Sequence, residues 1–105
     1  MSYCNSGPPV AAWIVQQLTG LDFEDYVQFN FFDPLGMETA TYRLDENVEA
    51  QGATLYSGGK PQEYWHIVMR PSGAINASPR DMAAFLRLFL DRGRGDDWRL
   101  VAEES

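Results

Sequence analysis

Two side chains with reactive chemistry occur once each in this sequence, Cys4 and His66. A thiol becomes a nucleophile or ligand when a helix N-terminus, a base or a metal stabilises its thiolate. We identify no such partner for Cys4 and expect a small buried residue, although exposure would allow cross-linking between chains. His66 lies between Trp65 and Ile67, where a packed, hydrogen-bonded histidine is more typical than a base or ligand. A lone cysteine also forms no disulfide within the chain, and no metal or other cofactor is expected.

A Ser-x-x-Lys spacing occurs once, at Ser57-Gly58-Gly59-Lys60. Serine and lysine separated in this way share a face only on a helix. Each of the two glycines would destabilise a helix by about 1 kcal/mol relative to alanine. The segment is therefore predicted to be a turn or exposed loop, and its match to a catalytic spacing is attributed to chance.

The composition predicts one globular, acidic domain over residues 1–105. Hydrophobic residues make up 45% of the chain, and 15 acidic against 8 basic residues give a net charge of −7. Nucleic acids and anionic membranes need a basic face, so neither is expected as a partner. There is neither an apolar run of membrane-spanning length nor a signal-like N-terminus, so we expect the chain as given to stay in the cytoplasm.

Two helices are predicted in the first third of the chain. The first runs from about Pro8 to Leu18, because proline suits a first turn and Gly20 follows as a terminator. The second begins at Asp22, a favourable N-cap, and ends at Pro34 and Gly36. Their apolar positions keep helical spacing: Val10, Trp13, Ile14 and Leu18 in the first, and Phe23, Tyr26, Val27 and Phe31, expected to form core, in the second.

The third helix has the strongest signals. Ser78 is a predicted cap, Pro79 takes the first position, Asp81 can bond back to the cap, and Gly93 ends the helix. Its apolar stripe is expected to face the core: Met82, Phe85, Leu86, Phe89 and Leu90.

The connection between the second and third helices is about forty residues long, which is unusual in a compact domain that stands alone. Residues Ala53 to Tyr56 and Trp65 to Met69 are predicted short strands. We expect Trp13, Trp65 and Trp98 to be core or interface anchors.

Three blocks of sequence together resemble one family. Tyr3-Cys4-Asn5-Ser6-Gly7 before a helix is similar to the Tyr-x-Asn motif of class C β-lactamases and their esterase and DD-peptidase relatives. The stretch Leu18-Thr19-Gly20 with Phe32-Asp33-Pro34-Leu35-Gly36-Met37 resembles the segment that comes next in that family. The segment from Pro71 to Met82 is similar to the family's small-residue loop leading into a helix. The order and spacing of the blocks also match, and the resemblance covers about residues 3–91.

The resemblance implies a role for two residues. In the family, a serine on a Ser-x-x-Lys helix attacks a carbonyl and forms an acyl-enzyme. The motif tyrosine beside it transfers protons, and the asparagine binds a substrate amide. Carried over, Tyr3 would be the proton-transfer residue and Asn5 a substrate-binding residue. The Ser-x-x-Lys helix that precedes this motif in the family, and the late Lys-Thr-Gly or His-x-Gly motif, are absent from this sequence.

The sequence thus predicts a mainly α domain with three principal helices and a long, partly extended connection, similar to the helical lobe of class C β-lactamase-like proteins. Three functions remain open. The chain could be a hydrolase fragment, inactive alone, that acts on a β-lactam, peptide or ester only with the missing parts. It could be a free-standing structural or interaction module, expected to form a homodimer, or a small-ligand binder that retains half a cleft.

Overall fold

The computed structural model of the chain describes residues 3–95 and 98–102 and is mainly helical. Helix α1 (Gly7–Thr19) carries prolines in its first turn, where a missing N–H leaves no partner unsatisfied. It ends at Gly20, whose φ of 73° is readily adopted by glycine and whose N–H donates to Gln16 O at 2.9 Å. The first predicted helix is confirmed.

The second predicted helix is one helical segment with a change of pitch inside it. It consists of α2 (Phe23–Val27), a π-helical turn (Gln28–Phe32) and α3 (Asp33–Leu35). Asp22 stands at the N-cap position without a side-chain cap bond. Within the π turn, the Asn30 side-chain amide donates to Tyr26 O at 2.8 Å. That bond satisfies a carbonyl four residues back, which an α-helix would have bonded through the backbone.

The core lies where this segment meets residues 37–42 and one side of the last helix. Tyr42 is at its centre, with ring centroids 5.6 Å from Phe23 and 5.9 Å from Phe32. Burial, and secondarily the nearby Glu24 carboxylate, raises the pKa of Tyr42. The helical segment is therefore core, as predicted. The buried members of this core are Val27, Phe32, Met37, Ala40 and Tyr42.

The long connection contains a helix that the sequence analysis missed and only part of the predicted strand structure. Helix α4 (Glu46–Gln51) begins at Asp45, whose carboxylate accepts from Val48 N at 2.9 Å. Strands β1 (Leu55–Ser57) and β2 (Lys60–Gln62) pair antiparallel, Ser57 opposite Lys60. The predicted strand at Trp65 to Met69 is wrong, because these residues pair with no strand among the described residues.

Helix α5 (Pro79–Leu90) has the capping box that the sequence predicts. Ser78 Oγ accepts from Asp81 N at 3.2 Å, and the Asp81 carboxylate accepts from Ser78 N at 2.9 Å. Asp81 also accepts from the Thr39 hydroxyl and is only 2% exposed. Gly93, with φ 76°, donates from its N–H to Leu88 O at 2.8 Å and follows the end of the helix.

The predicted buried stripe of α5 is largely wrong. Phe85 packs partly buried against the core, but Leu86 is 58% exposed, Phe89 66% and Leu90 83%; Met82 is exposed too. The periodicity found an apolar face, but no described element covers it. No helix among the described residues is long and apolar enough to span a bilayer.

Candidate functional site

The Tyr-x-Asn motif lies immediately before α1, where Pro8 and Pro9 fix the entry to the helix. Tyr3 is 85% exposed, and Asn5 is also exposed. The two predicted site residues therefore lie at the surface, with the phenol accessible to groups outside the described chain.

Cys4, between them, is exposed, so the prediction of a small buried residue is wrong. Hydrogen bonds from the Ser6 backbone, the Ser6 side chain and the Gly7 backbone lower the pKa of the Cys4 thiol. Amides at a helix start favour an anion beside them, because they have no intrahelical acceptor.

The small-residue loop is brought next to this motif. Residues Arg70–Ser72 form a single 3-10 turn that packs against α1. The Ser72 hydroxyl donates to the main-chain oxygen of Asn5 at 2.6 Å, a contact between residues 67 positions apart. The first and third blocks of the family resemblance thus meet in space.

The loop is also fixed farther along its length. Asn76 exchanges two backbone hydrogen bonds with Thr41, of 2.8 and 2.9 Å. Its side-chain amide donates to the Tyr64 hydroxyl at 2.8 Å. The loop then enters α5 through the capping box, so its path is tied to the core at several points.

The remaining candidates lie outside this site. His66 is exposed, its ring lies edge-on to Tyr64 with centroids 4.9 Å apart, and no described group forms a hydrogen bond with it. The prediction of a packed, hydrogen-bonded histidine is therefore wrong, because His66 is exposed and its described contact is the one with the Tyr64 ring. Ser57 and Lys60 flank a hairpin turn at Gly58 and Gly59, both of positive φ, which agrees with the predicted turn. They share no helix face.

Three of the grooves on the described surface lie elsewhere. The largest of these three, of about 740 Å³, lies at the C-terminal end of α5, and its lining includes Trp98, which is half-buried. Four arginines also line it, Arg87, Arg92, Arg94 and Arg99. Neither Tyr3 nor Asn5 lines any of the three. Within residues 3–95 and 98–102, no group of three histidine, cysteine or acidic side chains is placed to hold a metal ion.

Two residues of the site were missed by the sequence analysis, Ser72 and Arg70. Arg70 Nη1 pairs with Glu24 Oε1 at 2.9 Å and so ties the 3-10 turn to α2. Pro71 was a signal for a turn, but nothing in the local pattern connects it to Asn5.

Comparison with known proteins supports the family resemblance. The sequence profile of the Beta-lactamase family matches residues 1–104. A similar protein is "Penicillin-binding protein 4" of Amycolatopsis lactamdurans, 28% identical over an alignment of 105 positions that covers 92% of this chain. The match spans only 28% of that relative's length.

Proposed function

Because this chain belongs to the beta-lactamase family, we propose that it forms one side of the catalytic cleft of a serine hydrolase acting on a β-lactam, peptide or ester. In this proposal it corresponds to the helical lobe of class C β-lactamase-like proteins, and residues 1–105 are not catalytic alone. Their single lysine, Lys60, lies on the exposed hairpin rather than on a helix with a serine. The nucleophile would therefore come from another part of a longer protein.

One observation carries the proposal: the hydrogen bond from Ser72 to Asn5 brings two motif blocks of the family to one place. Residues that act on one substrate must lie within reach of the same reacting atoms. The contact supports a shared site at the start of α1, and the exposure of Tyr3 leaves its hydroxyl accessible to a serine and lysine there.

The chemistry suits the two side chains. An attacking serine must lose a proton, and the leaving group must gain one. A phenol beside a lysine ammonium can do both, because the positive charge favours the phenolate. The Asn5 amide has both donors and an acceptor, which can pair with a substrate amide.

The first test is the flanking DNA. An in-frame Ser-x-x-Lys helix encoded upstream supports the proposal, and an in-frame stop codon directly upstream overturns it. In the longer protein, Tyr3→Phe should slow acylation by a labelled penicillin by about 100- to 10,000-fold, the usual contribution of a general acid–base. Tyr56→Phe is the matched control, because Tyr56 is an exposed hairpin residue and should leave the rate unchanged.

Residues 1–105 alone should hydrolyse a chromogenic cephalosporin or a short-chain ester at the background rate, because they lack the nucleophile. Turnover by this chain that Tyr3→Phe abolishes, together with a covalent adduct on one of its serines, would contradict that part of the proposal.

A second candidate is a free-standing interaction module that forms a homodimer. It is favoured by the exposed apolar residues of α5, such as Leu86 and Phe89, and of α1, such as Trp13 at 60% exposure. Soluble monomers rarely expose large apolar patches, and a symmetric dimer is the commonest way to cover one. The net charge of −7 opposes association, but physiological salt screens exposed charges beyond about 8 Å.

Light scattering at several concentrations in physiological salt tests the dimer. The expected mass is twice that of the chain, and Phe89→Glu should reduce it to one chain without lowering the melting temperature. A monomer mass at every concentration, with no dye binding to apolar surface, would rule the dimer out.

A further inference from the structure

The 3-10 turn Arg70–Ser72 reaches the Tyr-x-Asn motif through one hydroxyl group. Ser72 Oγ lies 2.6 Å from Asn5 O, at the short end of the range for O–H···O bonds. Among the described residues it provides the hydrogen bond that connects residues 3–5 to a distant part of the chain. The remaining bonds of this segment are local to the start of α1.

The turn that carries this hydroxyl is itself held in place. Ser72 N donates to Met69 O at 2.9 Å, and the N–H groups of Gly73 and Ala74 both donate to Arg70 O at 3.1 Å. The Arg70 guanidinium pairs with Glu24, whose side chain is 21% exposed and so only partly screened by water. A chain of contacts therefore runs from α2 through the turn to Asn5.

Position matters here because the motif is otherwise open. Tyr3, Cys4 and Asn5 are all exposed, so packing does little to fix the direction of their side chains. A fixed carbonyl at Asn5 restricts the rotation of the two backbone angles on either side of it. The segment that carries the phenol and the amide is then held in place relative to α1, as a preorganised site requires.

We propose that Ser72 is a positioning residue, which fixes the Tyr3–Asn5 backbone through the Asn5 carbonyl and is itself braced by the Arg70–Glu24 ion pair. This inference rests on the proposed function, in which Tyr3 and Asn5 line the cleft. It assigns to the small-residue loop the task of holding a motif whose asparagine lies 67 residues earlier in the chain.

The lone thiol Cys4 offers a probe inside the motif. Only the thiolate alkylates rapidly, so the rate of reaction with iodoacetamide against pH measures how well the amides at the start of α1 stabilise it. In Ser72→Ala the midpoint of that profile should move up toward the ordinary thiol value, and the rate at neutral pH should fall severalfold. Ser72→Thr keeps the hydroxyl and should restore the original profile. Ser57→Ala, on the exposed hairpin, is the matched control and should change nothing.

Glu24→Gln provides an independent variant, because it loosens the turn without touching residues 3–7. It should move the midpoint in the same direction by a smaller amount, and it decides the question if Ser72→Ala does not fold. Profiles that match the wild type in either variant, with unchanged helical circular dichroism, would overturn the positioning role. The assay requires no hydrolysis, so its failure is distinct from the absence of an upstream Ser-x-x-Lys helix, which would overturn the proposed function.

Discussion

Replacing Asp81 with asparagine removes one negative charge from the most buried side chain of the described structure and leaves its size unchanged. The carboxylate accepts from Ser78 N at 2.9 Å, from Ser78 Oγ at 2.8 Å and from the Thr39 hydroxyl. It thus links the start of α5 to the segment that enters the core. Asparagine keeps one acceptor oxygen, but its NH₂ group would face the Thr39 N–H, which the second carboxylate oxygen now accepts at 3.5 Å.

These contacts set the magnitude of the expected loss. Hydrogen bonds to a charged group contribute about 1.5–3 kcal/mol and neutral ones about 0.5–1.5 kcal/mol, so each of three bonds loses about 1 kcal/mol. Loss of a negative charge in the first turn of a helix costs about 0.5 kcal/mol more. We expect Asp81→Asn to lower the free energy of unfolding by about 3.5 kcal/mol, which is about 14–28 °C in Tm for a domain of this size.

Thermal unfolding followed by circular dichroism measures this directly. Asp22→Asn is the matched control, since Asp22 stands at the N-cap position of a helix but makes no side-chain cap bond, and the Tm of this variant should stay within a few degrees of the wild type. If Asp81→Asn unfolds within about 3 °C of the wild type, a loss below about 1 kcal/mol, the capping box does not carry the stability assigned to it.

Three further predictions concern the same fold. Burial would raise the pKa of Asp81, but hydrogen bonds from neighbouring donors outweigh burial and hold that pKa below its usual value. Urea titrations from about pH 6 to 2 should therefore show that the stabilisation by Asp81 is complete above about pH 4 and is lost as the pH falls through the lower folded pKa. Asp81→Asn should give a flatter profile of stability against pH. Phe85→Ala should lower the free energy of unfolding by about 2–3 kcal/mol, and Leu86→Ala should change it by less than about 0.5 kcal/mol; equal losses of Tm would show that both side chains are buried. Gly93→Ala should lower the free energy of unfolding by more than Gly20→Ala. Both glycines have positive φ, but of the two only Gly93 would place a Cβ 2.8 Å from a backbone oxygen. Equal urea midpoints for the two variants would contradict that clash.

The sequence predicted best where the signal was local. The capping box at Ser78 and Asp81 and the glycine end of α1 depend on neighbours within a few positions, and both are confirmed. The periodicity of α5 also identified a real apolar face, yet it could not tell whether another element covers that face. Leu86 is exposed for that reason.

Contacts between residues far apart in the sequence could not be predicted from local patterns. Trp65 to Met69 has strand composition, but a strand needs a partner, and none of the described residues provides one. The motif blocks predicted Tyr3 and Asn5 as site candidates, whereas Ser72 depends on a bond across 67 residues that no periodicity contains. The contact of the Ser72 hydroxyl with Asn5 depends on the packing of the turn against α1, which is a property of the fold.

The π-helical turn at Gln28–Phe32 affects how this protein tolerates changes in chain length. Such a turn holds one residue more than an α-helical turn, while the helical segments on either side keep their phase. Loss of one residue there, such as the exposed Phe29, can be absorbed by closing the wide turn into ordinary α-helix. A deletion within α1 cannot be absorbed in this way, because α1 contains no wide turn. It would rotate every later residue of the helix by about 100° and turn buried Ala12 or its neighbours away from their contacts. Single-residue deletions should therefore be accepted in one helix of this chain and rejected in the other.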